Sequence, residues 1–317
     1  MSVTSSSGNG PATMPRVQVV IVNYGTPDLT LDAARSVAIG AQRTSTHVWV
    51  VDNGSPDDSV ARLTTGLPAA TVIDTGHNGG FAVGNNVALR HMALSRDLAE
   101  DATLHYVLLL NSDVVLHPGT IDACVAFADA HPAVGVVGPQ LLLPSGGLDL
   151  ACRRGFPTPV AALWRLSGLA RRFPQDPRFS GYNLTHLPQD QTADVDAVSG
   201  AFMLVRLAAI DDAGILDEDY FMYGEDLDWA WRIKAHGWRV VYFADATALH
   251  RKGSSSRRQS QRMLREFYRA MWIFHDKHTA KRSPLLLHWL IRCGIIVRGT
   301  MALGRNALRP AAARRVA

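Results

Sequence analysis

Four runs of aliphatic and β-branched residues, at 17–22, 47–51, 70–74 and 106–110, alternate with segments of helical spacing at 29–41, 57–67 and 84–99. No other feature restricts the chain as much. Strands that alternate with helices form a parallel sheet covered on both faces, because each crossover lays a helix against the sheet. In such sheets ligands gather beyond the carboxyl ends of the strands. Polar clusters stand at those ends: Asn23-Tyr24 after the first run, Asp52-Asn53-Gly54-Ser55 after the second and Asn111-Ser112-Asp113 after the fourth.

The alternation breaks between 144 and 194 into Pro, Gly and Arg with Trp164, Phe173 and Tyr182 interspersed. This reads as long loops and short helices, the usual material of a binding loop or lid. An apolar run at 197–205 restores the sheet, and 239–243 predicts a short later strand. From 259 to 278, Met263, Phe267, Met271 and Phe274 recur at the spacing of an amphipathic helix, and an apolar helix follows near Leu285. There is no internal repeat.

A chain of 317 residues with 47% hydrophobic residues supports one principal α/β domain, placed at 16–255. Residues 1–15, rich in Ser, Gly, Thr and Pro without the basic start and apolar run of a signal peptide, are expected to be a disordered tail. Residues 256–317 form a basic, helical C-terminal extension. Cys124, Cys152 and Cys293 lie far apart with no CxxC pair, which suggests neither a disulfide framework nor a cysteine zinc site and fits a reducing cytoplasm. The stretch 285–303 carries His288, Arg292 and Arg298 and is not expected to span a membrane. The net charge of +4 hides an asymmetry: residues 1–250 hold 16 Lys+Arg against 26 Asp+Glu, and residues 251–317 hold 16 against 2. Such a basic tail suits anionic lipid, a diphosphate-bearing substrate or nucleic acid, unless it is only a solvated helix.

Five segments carry chemistry. Asp52, Asn53 and Ser55 place a carboxylate, an amide and a hydroxyl after a buried strand, where they can read a pyrimidine edge and a ribose, although Asp-Asn-Gly is also ordinary turn chemistry. The stretch 76–86, with Asn78, Gly79, Gly80, Phe81, Asn85 and Asn86, combines close backbone approach with amide donors at the start of a helix. It lacks the Gly-Lys-Ser/Thr ending of a P-loop and the dinucleotide spacing, so ATP hydrolysis and nicotinamide chemistry lose their signatures. Asp113, delivered by an apolar strand two residues beyond Asn111, can present oxygen to Mg²⁺ or Mn²⁺ on a diphosphate; the plainer alternative is a cap for the helix after Pro118. Tyr220-Phe221-Met222-Tyr223-Gly224-Glu225-Asp226-Leu227-Asp228-Trp229 sets carboxylates at a helix start against an aromatic shelf, an environment that raises proton affinity as a general base requires. His250 precedes Arg251-Lys252-Gly253-Ser254-Ser255, an imidazole for a metal followed by a basic loop that can close over phosphate.

Taken in order, Asn23-Tyr24, Asp52-Asn53-Gly54-Ser55, Asn78-Gly79-Gly80-Phe81, Asn111-Ser112-Asp113, Val198-Ser199-Gly200-Ala201-Phe202 and Gly224-Glu225-Asp226 resemble the motif blocks of the family 2 glycosyltransferases of the GT-A fold. The similarity runs over about 16–255 and is greatest to bacterial rhamnosyltransferases that use dTDP-rhamnose. It implies a Rossmann-like mixed sheet flanked by helices, with the extension appended. It also implies a nucleotide-sugar donor bound by Asn23, Tyr24, Asp52, Asn53, Ser55, Asn78, Gly79, Gly80, Phe81, Asn85, Asn111 and Ser112. Asp113 and His250 would hold Mg²⁺ or Mn²⁺, and Arg251, Lys252, Ser254 and Ser255 the diphosphate. Ser199, Gly200, Ala201, Tyr223, Glu225 and Trp229 would face the acceptor or sugar. Asp226 would be the catalytic base of a single inverting displacement. Asn111 departs from the Asp-x-Asp motif of many relatives, as it does in the rhamnosyltransferase branch, and leaves one carboxylate there.

Related actinobacterial enzymes add rhamnose to polyprenyl-diphosphate-GlcNAc in building the cell-wall linker. The resemblance therefore implies a lipid-linked saccharide acceptor, an anionic membrane surface reached through the extension from the cytoplasmic side, and no nucleic-acid partner; it leaves monomer and homodimer open. Two rivals differ in class. A sugar-nucleotide pyrophosphorylase would begin with a Gly-rich, Arg/Lys-containing loop, where this chain has Asn23-Tyr24-Gly25-Thr26-Pro27. A non-catalytic sugar-binding protein on the same scaffold has no need of both Asp113 and Asp226.

Overall fold

A computed structural model describes residues 16–97, 104–252 and 260–309. The expected tail at 1–15 lies outside the described residues. Strand β1 (Val17–Asn23), apolar but for Gln18 and Asn23, is buried along most of its length, and it leads into helix α1 (Pro27–Gly40), where Pro27 begins the helix at no cost in hydrogen bonding. Next come β2 (Thr46–Asp52), α2 (Ser59–Gly66), β3 (Thr71–Asp74), α3 (Phe81–Asp97) and β4 (Tyr106–Leu110). These are the predicted strands and helices, shifted by a few residues at their ends.

After β4 the chain forms β5 (Val114–Leu116), α4 (Thr120–Ala130) and β6 (Val134–Leu142), then short helices α5 (Pro159–Leu166) and α6 (Leu169–Arg172) in the irregular region, and β7 (Ala193–Asp194). The remainder is β8 (Phe202–Arg206), α7 (Leu207–Ala213), α8 (Glu225–Ala235), β9 (Arg239–His250), α9 (Ser260–Phe274) and α10 (Leu285–Ala307). Nine strands of the described residues make one sheet in the order β3-β2-β1-β4-β8-β6-β9-β5, with β7 added beside β9. The first four in that order run parallel, β8 is antiparallel to both neighbours, β6 and β9 are parallel, and β5 is antiparallel to β9. The sheet is mixed, as the resemblance implied.

This topology brings distant segments to one edge. The ends of β1, β2 and β4 lie together because those strands are parallel and adjacent. Antiparallel β8 starts where β4 finishes, with Phe202 opposite Leu110, so Ser199-Gly200-Ala201 reaches the same edge. The run predicted as a strand over 197–205 is strand only from Phe202; Ala197, Val198 and Ala201 are buried as a loop that passes beneath the site. At the far side, β9 ends with His250 opposite Val114, one residue beyond Asp113.

The extension packs as two helices, and among the described residues α10 is the one helix long and apolar enough to cross a membrane. Leu285, Leu286, Trp289, Leu290, Ile296, Val297 and Met301 are exposed on it. Its charged positions had argued against a span from sequence, yet only 6% of its apolar window is buried against the protein.

Candidate active site

The β1 and β2 ends are knitted together before any ligand is considered. Asn23 Nδ2 donates to Asp52 Oδ2 at 2.6 Å and to Ser55 Oγ at 3.1 Å, while Ser55 donates through N to Asp52 Oδ1 at 2.8 Å and through Oγ to Oδ2 at 2.7 Å. Asp52 is fully buried, and both of its oxygens are engaged within this loop. The turn reading and the binding reading of Asp52 and Ser55 thus meet in one network: these side chains hold the loop, and the half-buried Tyr24 stands beside it.

Asn53 ties this loop to the glycine-rich one. Its Nδ2 donates to Gly80 O at 2.9 Å and to Asn78 Oδ1 at 3.2 Å, and its Oδ1 accepts from Gly79 N at 3.3 Å. Gly80 has φ +92, and a Cβ there would lie 2.2 Å from Phe221 O, so no other residue fits. The next residue, Phe81, donates its N–H to that same Phe221 O at 2.7 Å. Asn85 faces inward: it is buried, and its Nδ2 caps Phe81 O at 2.9 Å. It supports the start of α3 and does not line the loop's outer surface.

Asp113 does not cap α4; Gly119 occupies the cap position. It is buried, and its Oδ1 lies 3.3 Å from His250 Nε2. His250 Nδ1 meets Asp149 Oδ2 at 2.8 Å, and Asp149 Oδ1 accepts from Lys252 Nζ at 2.7 Å. Arg251 N donates to Asp113 O at 2.8 Å. Burial alone would make the His250 ring hard to protonate, but its hydrogen bonds to Asp113 and Asp149 prevail and push its pKa up to about 9. Burial likewise opposes the Asp149 charge, and the His250 and Lys252 donors overcome it and hold the carboxyl well below its usual range. A carboxylate oxygen and an imidazole nitrogen side by side, with the other ring nitrogen oriented by a second carboxylate, is the donor set that a divalent cation takes, so the residues fit such an ion. Asp149 is the member that sequence reasoning missed. Ser254 and Ser255, expected at the diphosphate, lie outside the described residues.

Asp226, the second residue of α8, is held unequally on its two oxygens. Arg154 Nη2 approaches Oδ2 at 2.5 Å and Gly200 N donates to it at 3.0 Å, whereas Oδ1 accepts, among the described residues, from Leu227 N alone at 2.8 Å. A Cβ on Gly200 would lie 3.4 Å from Phe81 Cε1 and 3.5 Å from Asp226 Cβ, so this glycine stands where the glycine-rich loop and Asp226 approach each other. Ala201 O accepts from Asn111 N at 2.9 Å, which carries the contact on to the Asn111-Ser112-Asp113 segment. Arg154, also missing from the sequence reading, comes from the irregular 144–194 region. Glu225 is buried with Oε2 unpartnered, and burial, reinforced by the Asp226 charge, pushes its pKa up to about 8.

One expectation is corrected. Trp229 was expected to face the acceptor, but its side chain is fully buried in the core and its Nε1 donates to Gly214 O at 2.8 Å. One helical turn beyond the buried Glu225, it lies on the same face of α8 and deeper in the core. Tyr223 and Ser199 are partly exposed, while Gly200 and Ala201 contribute backbone.

Comparison with known proteins agrees with this layout. Residues 15–269 match the family described as "Glycosyltransferase like family 2". The chain is 29% identical over 294 residues to the N-acetylglucosaminyl-diphospho-decaprenol L-rhamnosyltransferase of Mycobacterium tuberculosis, covering 92% of this chain and 94% of that protein. Among solved structures, the mannosyltransferase PcManGT from Pyrobaculum calidifontis, in complex with GDP-Man and Mn²⁺, superposes with a TM-score of 0.52 at 18% identity, over 95% of this chain and 79% of that one. TarS of S. aureus gives a TM-score of 0.52 at 18% identity, over 83% and 39%.

Proposed function

The chain belongs to the family 2-like glycosyltransferases, and from that premise we propose that it moves L-rhamnose from dTDP-rhamnose to a hydroxyl of a polyprenyl-diphosphate-linked saccharide, with inversion at the anomeric carbon. The observation that carries the reading is the Asp226 carboxylate, fixed on Oδ2 by Arg154 and Gly200 N, with Leu227 N as the one partner of Oδ1 among the described residues. Similarity over nearly the full length of a decaprenyl-diphosphate rhamnosyltransferase supports the donor and acceptor classes.

In this reading the Asn23, Asp52 and Ser55 network and the Asn53-tied loop of Asn78, Gly79, Gly80 and Phe81 shape the nucleotide site, with Tyr24, Asn111 and Ser112 along it. Asp113 and His250 would hold Mg²⁺ or Mn²⁺, which would supply positive charge against the departing diphosphate. Arg251 and Lys252 add to that charge. Asp226 Oδ1 takes the acceptor proton, since a carboxylate oxygen with a single hydrogen bond keeps a lone pair for another donor. Glu225, neutral near pH 7 by virtue of its burial, leaves the negative charge of the pair against Arg154. The exposed apolar face of α10 and the basic extension seat the enzyme on the cytoplasmic face of an anionic membrane, where such acceptors reside.

The test is Asp226→Asn, which keeps size and polarity but offers no base. Transfer from dTDP-rhamnose to GlcNAc-diphosphate-polyprenol should vanish, while the thermal shift caused by dTDP-rhamnose with Mg²⁺ or Mn²⁺ persists. Near-normal turnover by this variant would refute the assignment.

A further inference from the structure

The α9 helix closes over the segment that presents Asp226. That segment, residues 217–225, contains two consecutive residues in the left-handed region, Tyr223 at φ 68 and Gly224 at φ 82. Gly224 accepts this freely, but Tyr223 carries a side chain that disfavours it, and such a conformation persists only where the surroundings impose it. On the inner side Phe81 N holds Phe221 O. From α3, Asn86 Nδ2 donates to Glu218 Oε1 at 2.8 Å and Arg90 pairs with the same oxygen, while the restraints around Tyr223 and Gly224 come from α9 and the turn behind it. Phe267 meets the Tyr223 ring edge-on at 5.9 Å, the Arg262 guanidinium lies 4.2 Å from the Phe221 ring centre, and a Cβ on Gly224 would come within 3.3 Å of the Ala270 Cβ.

Two adjacent side chains complete the clasp. Lys277 pairs with Asp217 and, at 2.6 Å, with Asp219, at the start of the segment. His278 Nε2 meets Asp228 Oδ1 at 2.7 Å, just past its end. Asp228 is buried, and its other oxygen accepts from Arg232 Nε at 2.8 Å; Arg232 in turn donates to Ala213 O and Ile215 O. Both Lys277 and His278 lie in a single π-helical turn, His275–Thr279, where the helix widens after Phe274. Widened turns of this kind redirect side chains and recur at functional sites.

We propose that Lys277 and His278 are positioning residues for the transfer reaction: from the C-terminal extension they grip both ends of the 217–228 segment and so aim the Asp226 carboxylate at the acceptor hydroxyl. The extension is then part of the catalytic apparatus as well as the part that meets the membrane. This inference rests on the assignment of Asp226 as the base. Its consequence is selective, because neither residue touches the Asn23, Asp52 or Asn53 loops that shape the nucleotide site.

The experiment compares Lys277→Met and His278→Leu with Lys277→Arg and His278→Gln in the full chain. The first two remove the donor groups; the second two keep an N–H near the same place. Misaiming a base by about an ångström costs on the order of tenfold or more, so Lys277→Met and His278→Leu should lower kcat by about tenfold with the affinity for dTDP-rhamnose within about twofold of the parent, and Lys277→Arg and His278→Gln should restore it. Amide hydrogen exchange across 217–228 should quicken in the same two variants, a readout that needs no acceptor. Lys277 is partly exposed, so Lys277→Met answers the question even if His278→Leu does not fold. Unchanged kcat, unchanged exchange, or a donor affinity that falls in step with kcat would overturn the proposal. Asp226→Asn measured alongside separates the two ideas. An active Asp226→Asn removes the base assignment, while an inactive one beside a normal Lys277→Met removes only the clasp.

Discussion

Replacing Arg154 with Met deletes the countercharge of a buried carboxyl pair while keeping most of the side chain's volume. Arg154 Nη2 is 2.5 Å from Asp226 Oδ2, with the two side chains 12% and 10% exposed, and it also donates to Val198 O at 3.0 Å. Removing one partner of a buried ion pair costs about 3–5 kcal/mol, because the other charge is left desolvated. A direct attraction of about 4 kcal/mol at ~4 Å and an effective dielectric of ~20 agrees with that range. For a domain of this size each kcal/mol moves Tm by about 2–4 °C, so Arg154→Met should lower Tm by roughly 6–20 °C near neutral pH.

The same substitution has a pH signature. Burial, with the neighbouring Asp226, has already pushed Glu225 up to about 8, and Arg154 is the cation that restrains it. Without Arg154 the pair holds its proton more tightly. An acid whose folded-state pKa exceeds its unfolded value costs stability as pH rises from the unfolded pKa to the folded one; parent and variant lose it alike up to about 8, where Glu225 of the parent gives up its proton and that of the variant does not, so the deficit of Arg154→Met should grow between about pH 7.5 and 9.5. Thermal and urea unfolding of parent and variant at the two pH values measure it. A deficit under about 1 kcal/mol at the higher pH, or the same deficit at both, would refute the reasoning.

Asp149→Asn leaves the His250 ring without its orienting carboxylate; loss of such an outer partner typically weakens a metal site about 10–100-fold, and titration of the full chain with Mn²⁺ in the presence of dTDP should show a loss of that order. Binding of the parent to vesicles containing anionic lipid should weaken as salt rises from about 0.05 to 0.5 M, and a chain truncated after residue 250 should lose it; equal binding by the truncated chain would remove the membrane role of the extension.

What the sequence revealed and what it hid divide along physical lines. The strand at 106–110 was legible to the residue because every side chain in it is apolar and buried. By contrast, β6 went unread: it contains Gly135, Gly138 and Pro139, which ordinarily argue against a central strand. Each exception has a local reason. Trp238 packs over Gly135, and Val198 fills the space where a Gly138 side chain would lie; the β6–β9 register shifts immediately after Pro139. The later strand was expected over 239–243, but β9 continues to His250 because β5 and the far half of β6 pair with residues 247–250, a Thr-Ala-Leu-His stretch too short and mixed to give a strand signal of its own.

The site divides in the same way. Asn23, Asp52, Asn53, Asp113 and Asp226 announce themselves because a polar residue at the end of an apolar strand, or at the start of a helix, is a local pattern. The groups that decide their chemistry are not local. Asp149 and Arg154 come from the irregular region and reach His250 and Asp226 across 101 and 72 residues of chain. A Leu-Asp-Leu in a loop and an Arg-Arg pair carry no mark of which carboxylate or imidazole they will meet. Trp229 fails for the opposite reason: it sits inside the motif, but on the face of α8 that it shares with the buried Glu225, and that face turns into the core. A motif therefore names the reacting group, whereas its protonation and orientation are set by partners that only the closed sheet brings within hydrogen-bonding distance, and substitutions at those partners discriminate most sharply between the proposed mechanism and its rivals.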